Sequence, residues 1–197
     1  YSIGGGFVVK EQKQEAVEGV SKTSVFPYPI EKGTELLAYC KEENKIISEI
    51  VLENELSIRS SEEIDAEIQA VWNVMLESIY EGCHTKGLLP GGLNVKRRAY
   101  KIHKSLIGDA DYSNPEEWIE SIRNTKVAFR QILQWVSCFA IAVNEVNADL
   151  GRVVTAPTNG SAGVIPSVLL YYLCIENHDA GFDEIKQFLL VAGEVGA

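Results

Sequence analysis

The sequence predicts a mainly α fold, a multi-helical domain fragment with a short N-terminal β segment. Two observations predict the helices: apolar residues recur every three or four positions, and capping residues stand just before those runs. A third predicts the β segment, because Ile3 and the apolar residues 7–9 surround three glycines at the start of the chain.

A domain junction is expected near residues 26–30, since FPYPI is too rich in proline for a helix. The chain opens at Tyr1 inside a strand-like stretch and closes on the apolar residues 188–197 without a polar tail. We therefore expect a piece of a longer polypeptide, divided into residues 1–30 and residues 31–197.

Composition bounds the function. The 197 residues carry 18 Lys and Arg against 28 Asp and Glu, a net charge of −10, which disfavours a nucleic-acid partner. No apolar run is long enough to span a membrane and no signal peptide is visible, so we expect a cytoplasmic protein. The four cysteines are widely spaced in sequence, which predicts reduced, mostly buried thiols rather than a metal or cluster site.

The first helices follow from local signals. Thr34 is predicted to cap a helix containing Leu36, and a second helix is expected from about 48 to 56. Ser60 and Glu63 form a capping box for a third helix, which Gly82 should end. Its predicted buried stripe is Ile64, Ile68, Val71, Met75 and Ile79.

The middle of the chain predicts a loop at 88–93, a helix beginning at Asn114-Pro115, and a long central helix over about 126–147. Residues 96–104 form a basic island. That island could hold a carboxylate or phosphate, although such islands more often form a solvated face or pair with acidic neighbours.

One segment combines features of a binding site. Asn144 and Asn147 share a helical face next to Glu145, at a helix end that the preceding apolar run should carry inward. Amides in such a place either satisfy nearby loop backbone or bind a ligand.

The loop that follows, residues 155–163, collects hydroxyls, an amide and small residues before another helix. Pro166 is tolerated only in a first turn, which places that helix start near 161–163. Backbone N–H groups and the positive end of the helix dipole converge there, an arrangement suited to a carboxylate or phosphate. The candidate binding residues are Thr158, Asn159, Gly160 and Ser161. None of the three histidines lies in this segment, so no nucleophilic triad is predicted.

These strings resemble the bacterial iron–sulfur-dependent L-serine dehydratases (L-serine ammonia-lyases). The matching strings occur in the family's order and cover nearly the whole chain: YSIGGGF at 1–7, PYP at 27–29, TELLAYC at 34–40, LPG at 89–91, RRA at 97–99, AVNE at 142–145 and GRVVTAPTNG at 151–160.

The resemblance implies that the chain joins the last strand of an α+β N-terminal domain and its linker to the first half of a helical catalytic domain. It implies a lyase of amino-acid degradation and gluconeogenesis that converts L-serine to pyruvate and ammonia by Lewis-acid-assisted β-elimination of water. The Lewis acid would be a [4Fe–4S] cluster whose ligands lie beyond residue 197, so the fragment alone should be inactive and holds no metal ligand.

The resemblance also gives the 158–161 loop the role of binding the substrate carboxylate. Asn144, Glu145, Asn147 and Arg152 would support it, while Val146 stands where the family commonly has a second glutamate. The catalytic base stays unknown and a homodimer stays open. Two other readings remain: a related iron–sulfur lyase acting on cysteine or another β-substituted amino acid, and a non-catalytic helical module.

Overall fold

The structure, a computed structural model, describes residues 26–155 and 158–196. Its α-helices are α1 (Gly33–Glu43), α2 (Ile47–Leu56), α3 (Ser61–His84), α4 (Ala99–Ile107), α5 (Pro115–Arg123), α6 (Phe129–Ala148), α7 (Val164–Tyr171) and α8 (Phe182–Gly196). A 3-10 turn, Asn159–Ser161, precedes α7, and a π-helical turn, Tyr172–Glu176, extends it.

The mainly α prediction is confirmed. The described residues contain no strand, only an isolated bridge between Leu88 and Lys96 across the predicted loop. The β segment predicted within residues 1–9 lies outside the described residues, as does most of the 1–30 unit. None of the helices in the described ranges is long and apolar enough to cross a membrane.

Helix α6 lies at the centre of the core, as its all-round apolar pattern predicts. It packs against α3, α4 and α7, and α8 packs against α2. Trp135, Phe139 and Val143 of α6 are each at most 1% exposed. Burial of each of these three side chains contributes roughly 1.5–3 kcal/mol to the free energy of unfolding, so α6 is a major part of the hydrophobic core.

Two predicted helix starts are confirmed by their caps. The Ser60 hydroxyl accepts from the Glu63 N–H at 3.2 Å, and the Glu63 carboxylate accepts from the Ser60 N–H at 2.9 Å. The Asn114 side chain likewise accepts from the Glu117 N–H at 2.8 Å. Each cap satisfies an N–H that has no partner within the helix.

Three local predictions are wrong. Thr34 lies inside α1, whose N-cap is Lys32; there the Glu35 carboxylate accepts from the Lys32 N–H at 2.9 Å. Gly82 does not end α3, which continues to His84. Within the predicted stripe, Val71 is 37% exposed although Ile64, Met75 and Ile79 are buried, because Trp72 on the adjoining face enters the core instead.

Candidate functional site

The C-terminal turns of α6 carry three of the predicted supporting residues, and their side chains point in different directions around the helix. Asn144 is exposed, Asn147 is half-buried, and Glu145 is only 4% exposed. The predicted inward course of this helix end therefore applies to Glu145 and not to Asn144, because positions one apart point about 100° away from each other around the helix.

Glu145 caps a different helix. One carboxylate oxygen accepts from the Arg98 N–H at 2.6 Å and the other accepts from the Ala99 N–H at 3.4 Å. Helix α4 has no acidic residue in its own first turn, so this buried carboxylate supplies the negative charge that its N-terminus favours. The contacts of Glu145 thus join α6 to α4.

The predicted binding loop lies beside the end of α6. The Asn159 side-chain amide donates to Oδ1 of Asn147 at 3.3 Å, so the structure brings these two predicted residues together. The hydroxyls of Thr158 and Ser161 are 2.8 Å apart, and both residues are exposed. Arg152 is exposed and forms no ion pair with the described residues.

Helix α7 begins at Val164, one residue after the predicted range, with Pro166 in its first turn. That first turn has no acidic residue, and the N-cap Gly163 offers no side-chain acceptor. In α3 and α5, by contrast, acidic residues occupy the first turn and a side chain caps the helix. The positive end of the α7 dipole is therefore left uncompensated by its own residues.

The two glycines of this loop differ in their surroundings. A Cβ on Gly163 would lie 2.6 Å from the carbonyl oxygen of Ala140, so glycine is needed there for α7 to approach α6. A Cβ on Gly160 would meet nothing within 4 Å among the described residues. Packing explains Gly163, whereas Gly160 faces open space that a ligand could enter.

An ion pair that the sequence did not predict lies next to the α6 end. Nη2 of Arg97 donates to Oδ2 of Asp149 at 2.5 Å, and the Arg97 side chain is only 4% exposed. Its Nε is buried without an acceptor among the described residues. The pair confirms the less specific interpretation of the basic island, that it pairs with acidic neighbours, but no local pattern indicates the partner because 52 positions separate the two residues.

Two histidines lie in an aromatic cluster with Tyr112 and Trp118. Nε2 of His103 accepts from the Trp118 indole N–H at 2.8 Å, and Nε2 of His84 lies 2.8 Å from the Tyr112 hydroxyl. Burial, with smaller contributions from His84 and Lys104, lowers the pKa of His103 to about 4. Burial also lowers the pKa of His84. Both imidazoles are therefore held neutral at pH 7.

The cysteines are free thiols, three of them buried. Sγ of Cys83 lies 4.0 Å from Sγ of Cys138, and burial followed by that contact raises the pKa of the Cys83 thiol. Burial raises the pKa of Cys174 to about 12. The described residues contain no group of three His, Cys, Asp or Glu that could hold a metal, so they do not fit an iron–sulfur cluster.

A large apolar cleft of about 1100 Å³ opens between α1, α2, α7 and α8. Ser161 is one of its lining residues, but most of the lining is apolar, with side chains such as Leu37, Val168 and Phe188. A small zwitterion would lose its hydration there without gaining polar partners. The polar loop rather than the cleft is therefore the candidate binding site.

The sequence profile of the family described as "Serine dehydratase alpha chain" matches residues 42–197. The chain belongs to this family. It is 42% identical over 200 residues to L-serine dehydratase 1 of Escherichia coli, 38% identical over 199 residues to an L-serine dehydratase of Haemophilus influenzae, and 41% identical over 198 residues to one of Streptomyces coelicolor. Each alignment covers all of this chain and 39–40% of the relative.

The chain thus spans about two fifths of the length of these serine dehydratase family members. The family assignment confirms the resemblance drawn from the motifs. The roles of Thr158, Asn159, Gly160, Ser161 and the four supporting residues stay predictions.

Proposed function

We propose that the complete protein is an L-serine dehydratase, a lyase of amino-acid degradation that converts L-serine to pyruvate and ammonia in the cytoplasm. Membership of the serine dehydratase alpha chain family carries this proposal, together with relatives named L-serine dehydratase at 37–42% identity. We infer as the cofactor the [4Fe–4S] cluster that the resemblance to the family implies, with ligands outside the described residues, among which no three His, Cys, Asp or Glu side chains come together.

Within this chain we assign the substrate carboxylate to the loop Thr158–Ser161. The observation that supports this role is the uncompensated N-terminus of α7, which has no acidic residue in its first turn. The adjacent hydroxyls of Thr158 and Ser161 and the amide of Asn159 add directional donors. Open space at Gly160 leaves room for a carboxylate to approach the backbone.

The rest of the elimination needs a base for the α-proton and a group that activates the hydroxyl. His84 and His103 do not supply the base at this loop, because both rings are engaged in the aromatic cluster with Tyr112 and Trp118. The contribution of the described residues is therefore to bind and orient the substrate, which raises the effective concentration of the reacting groups.

The activity is tested on the full-length protein, purified and reconstituted with iron and sulfide without oxygen. Pyruvate and ammonia formation from L-serine, L-threonine and L-cysteine should give the highest kcat/KM for L-serine. Dominant sulfide release from L-cysteine would instead support the related lyase that the sequence leaves open.

The loop assignment is tested by Asn159→Ala and Ser161→Ala in the same protein. Each should raise KM for L-serine, since each removes a polar group that we assign to the substrate carboxylate. Matched controls are Asn73→Ala and Ser105→Ala, which change exposed residues of the same types on other helices. Unchanged kinetics with lower stability would favour a structural loop and a non-catalytic module.

A further inference from the structure

The end of α6 is attached on one side to the segment that precedes α4. Arg97 donates to Asp149, the C-cap residue of α6, and Glu145 accepts from the Arg98 N–H one turn earlier. The two contacts place opposite charges at opposite kinds of helix end. The Arg97 cation lies at the C-terminus of α6, and the Glu145 carboxylate lies at the N-terminus of α4. Both arrangements are favoured by the helix dipoles.

The same turn is attached on its other side to the binding loop. Asn147 lies between Glu145 and Asp149 in sequence, and its Oδ1 accepts from the Asn159 amide at 3.3 Å. The chain then reverses tightly, because the Gly151 N–H donates to the Val146 carbonyl at 2.9 Å. A movement of the last turn of α6 would therefore be transmitted to Asn159.

We propose that Arg97 is a positioning residue for the Thr158–Ser161 loop, acting through Asp149, the last turn of α6 and Asn147. The inference rests on the proposed function, because it gives Arg97 a part in substrate binding without contact with the substrate. The Arg97–Asp149 ion pair joins two segments that are distant in sequence. Neither helix formation nor packing of the apolar core explains this pair, whereas a positioning role does.

The burial of Arg97 distinguishes this pair from an ordinary surface ion pair. The Arg97 side chain is 4% exposed and the Asp149 side chain is 43% exposed. Removing the carboxylate leaves a buried guanidinium whose Nε already has no acceptor among the described residues. A buried charge without its partner forces local rearrangement, which here falls on the turn that holds Asn147.

Asp149→Asn in the full-length protein is the primary test, because it keeps the side-chain shape and removes the charge. The chain offers a matched control. Nζ of Lys186 contacts Oδ1 of Asp65 at 2.5 Å, with the lysine 15% and the aspartate 42% exposed, and this pair joins α8 to α3 rather than to the end of α6. Asp65→Asn therefore removes an equivalent carboxylate without the proposed coupling.

We expect Asp149→Asn to lower kcat/KM for L-serine about tenfold, mainly through KM, within the range that small misplacements of binding groups produce. Asp65→Asn should leave KM unchanged within about twofold, since an isolated pair of this kind acts mainly on stability. Arg97→Met should also raise KM for L-serine. Arg97→Lys keeps the charge and should therefore raise KM less than Arg97→Met does. Equal KM values for Asp149→Asn and Asp65→Asn would overturn the proposal.

Backbone hydrogen exchange gives a readout that does not depend on turnover. Amides of residues 158–163 should exchange faster in Asp149→Asn than in the wild type and in Asp65→Asn. Unchanged exchange there would overturn the positioning role even if serine is the substrate. Absence of serine turnover in the reconstituted wild-type protein would instead refute the proposed function, and the exchange comparison would still decide whether Arg97 holds the loop.

Discussion

Gly82 of α3 lies directly against the carbonyl group of Ala142 of α6. A Cβ atom on Gly82 would approach the Ala142 Cα to 2.7 Å and the carbonyl atoms more closely still. These contact atoms belong to the backbone of a packed helix, which cannot move aside as the end of a flexible side chain can. The close approach of α3 to the central helix therefore depends on glycine at this position in the last turn of α3.

Gly82→Ala should destabilise the full-length protein by about 1–3 kcal/mol, because the added methyl forces α3 away from α6. Urea unfolding measures the change. Gly193→Ala is the matched control, since Gly193 also lies within a helix but a Cβ there would meet no atom within 4 Å in the part of the chain that the structure describes. The control should be neutral or stabilising by up to about 1 kcal/mol through helix propensity. A similar effect of both substitutions would refute the packing explanation.

The features that the sequence predicts correctly are those that depend on residues close together in the chain. The Ser60 and Asn114 caps are correct because each cap and its partner lie three residues apart. The role of Gly82 and the Arg97–Asp149 pair were not predicted, because the partner of each is 52 or more positions away in the chain. Within the candidate site, the approach of Asn147 to Asn159 fits the prediction, whereas the capping role of Glu145 depends on α4, whose position no pattern reveals.

Glu145→Ala should cost about 1–3 kcal/mol of unfolding free energy, because it leaves the N–H groups of Arg98 and Ala99 without their acceptor. Glu145→Gln keeps an acceptor oxygen and should lose less. Glu77→Ala removes an exposed carboxylate from α3 and serves as the control, with an expected change within about 0.5 kcal/mol. Equal losses for the alanine and glutamine variants would show that charge, rather than the hydrogen bond, dominates.

His103 should make stability depend on pH in acid. Its pKa falls from 6.5 to about 4 on folding, so the unfolded chain takes up the proton first. The contribution is fully present above about pH 6.5 and is lost as the pH falls towards 4. The total is about 3 kcal/mol at 1.36 kcal/mol per pKa unit.

Urea unfolding at intervals between pH 7 and pH 4.5 tests this dependence. His103→Gln keeps an acceptor oxygen for the Trp118 indole N–H but removes the titrating ring, so it should show a shallower decline in acid than the wild type. His178→Gln, at an exposed position, should keep the wild-type slope. A wild-type slope in His103→Gln would refute the assignment, and any residual slope in that variant should include His84, whose pKa burial also lowers.

Substitutions at Gly160 and Gly163 test two different roles within one loop, substrate binding at Gly160 and helix packing at Gly163. Gly163→Ala should destabilise the protein by about 1–3 kcal/mol, since its Cβ would lie 2.6 Å from the Ala140 carbonyl oxygen. Gly160→Ala should leave the thermal unfolding midpoint unchanged within about 1 °C, because its φ is not positive and its Cβ meets no described residue.

If the substrate carboxylate approaches the backbone at Gly160, the same methyl group should raise KM for L-serine about tenfold, through misplacement of the bound substrate. Steady-state kinetics and thermal unfolding of both variants of the full-length protein provide the comparison. An unchanged KM in Gly160→Ala would place the substrate elsewhere. A loss of stability as large as that of Gly163→Ala would show that Gly160, too, is required for packing.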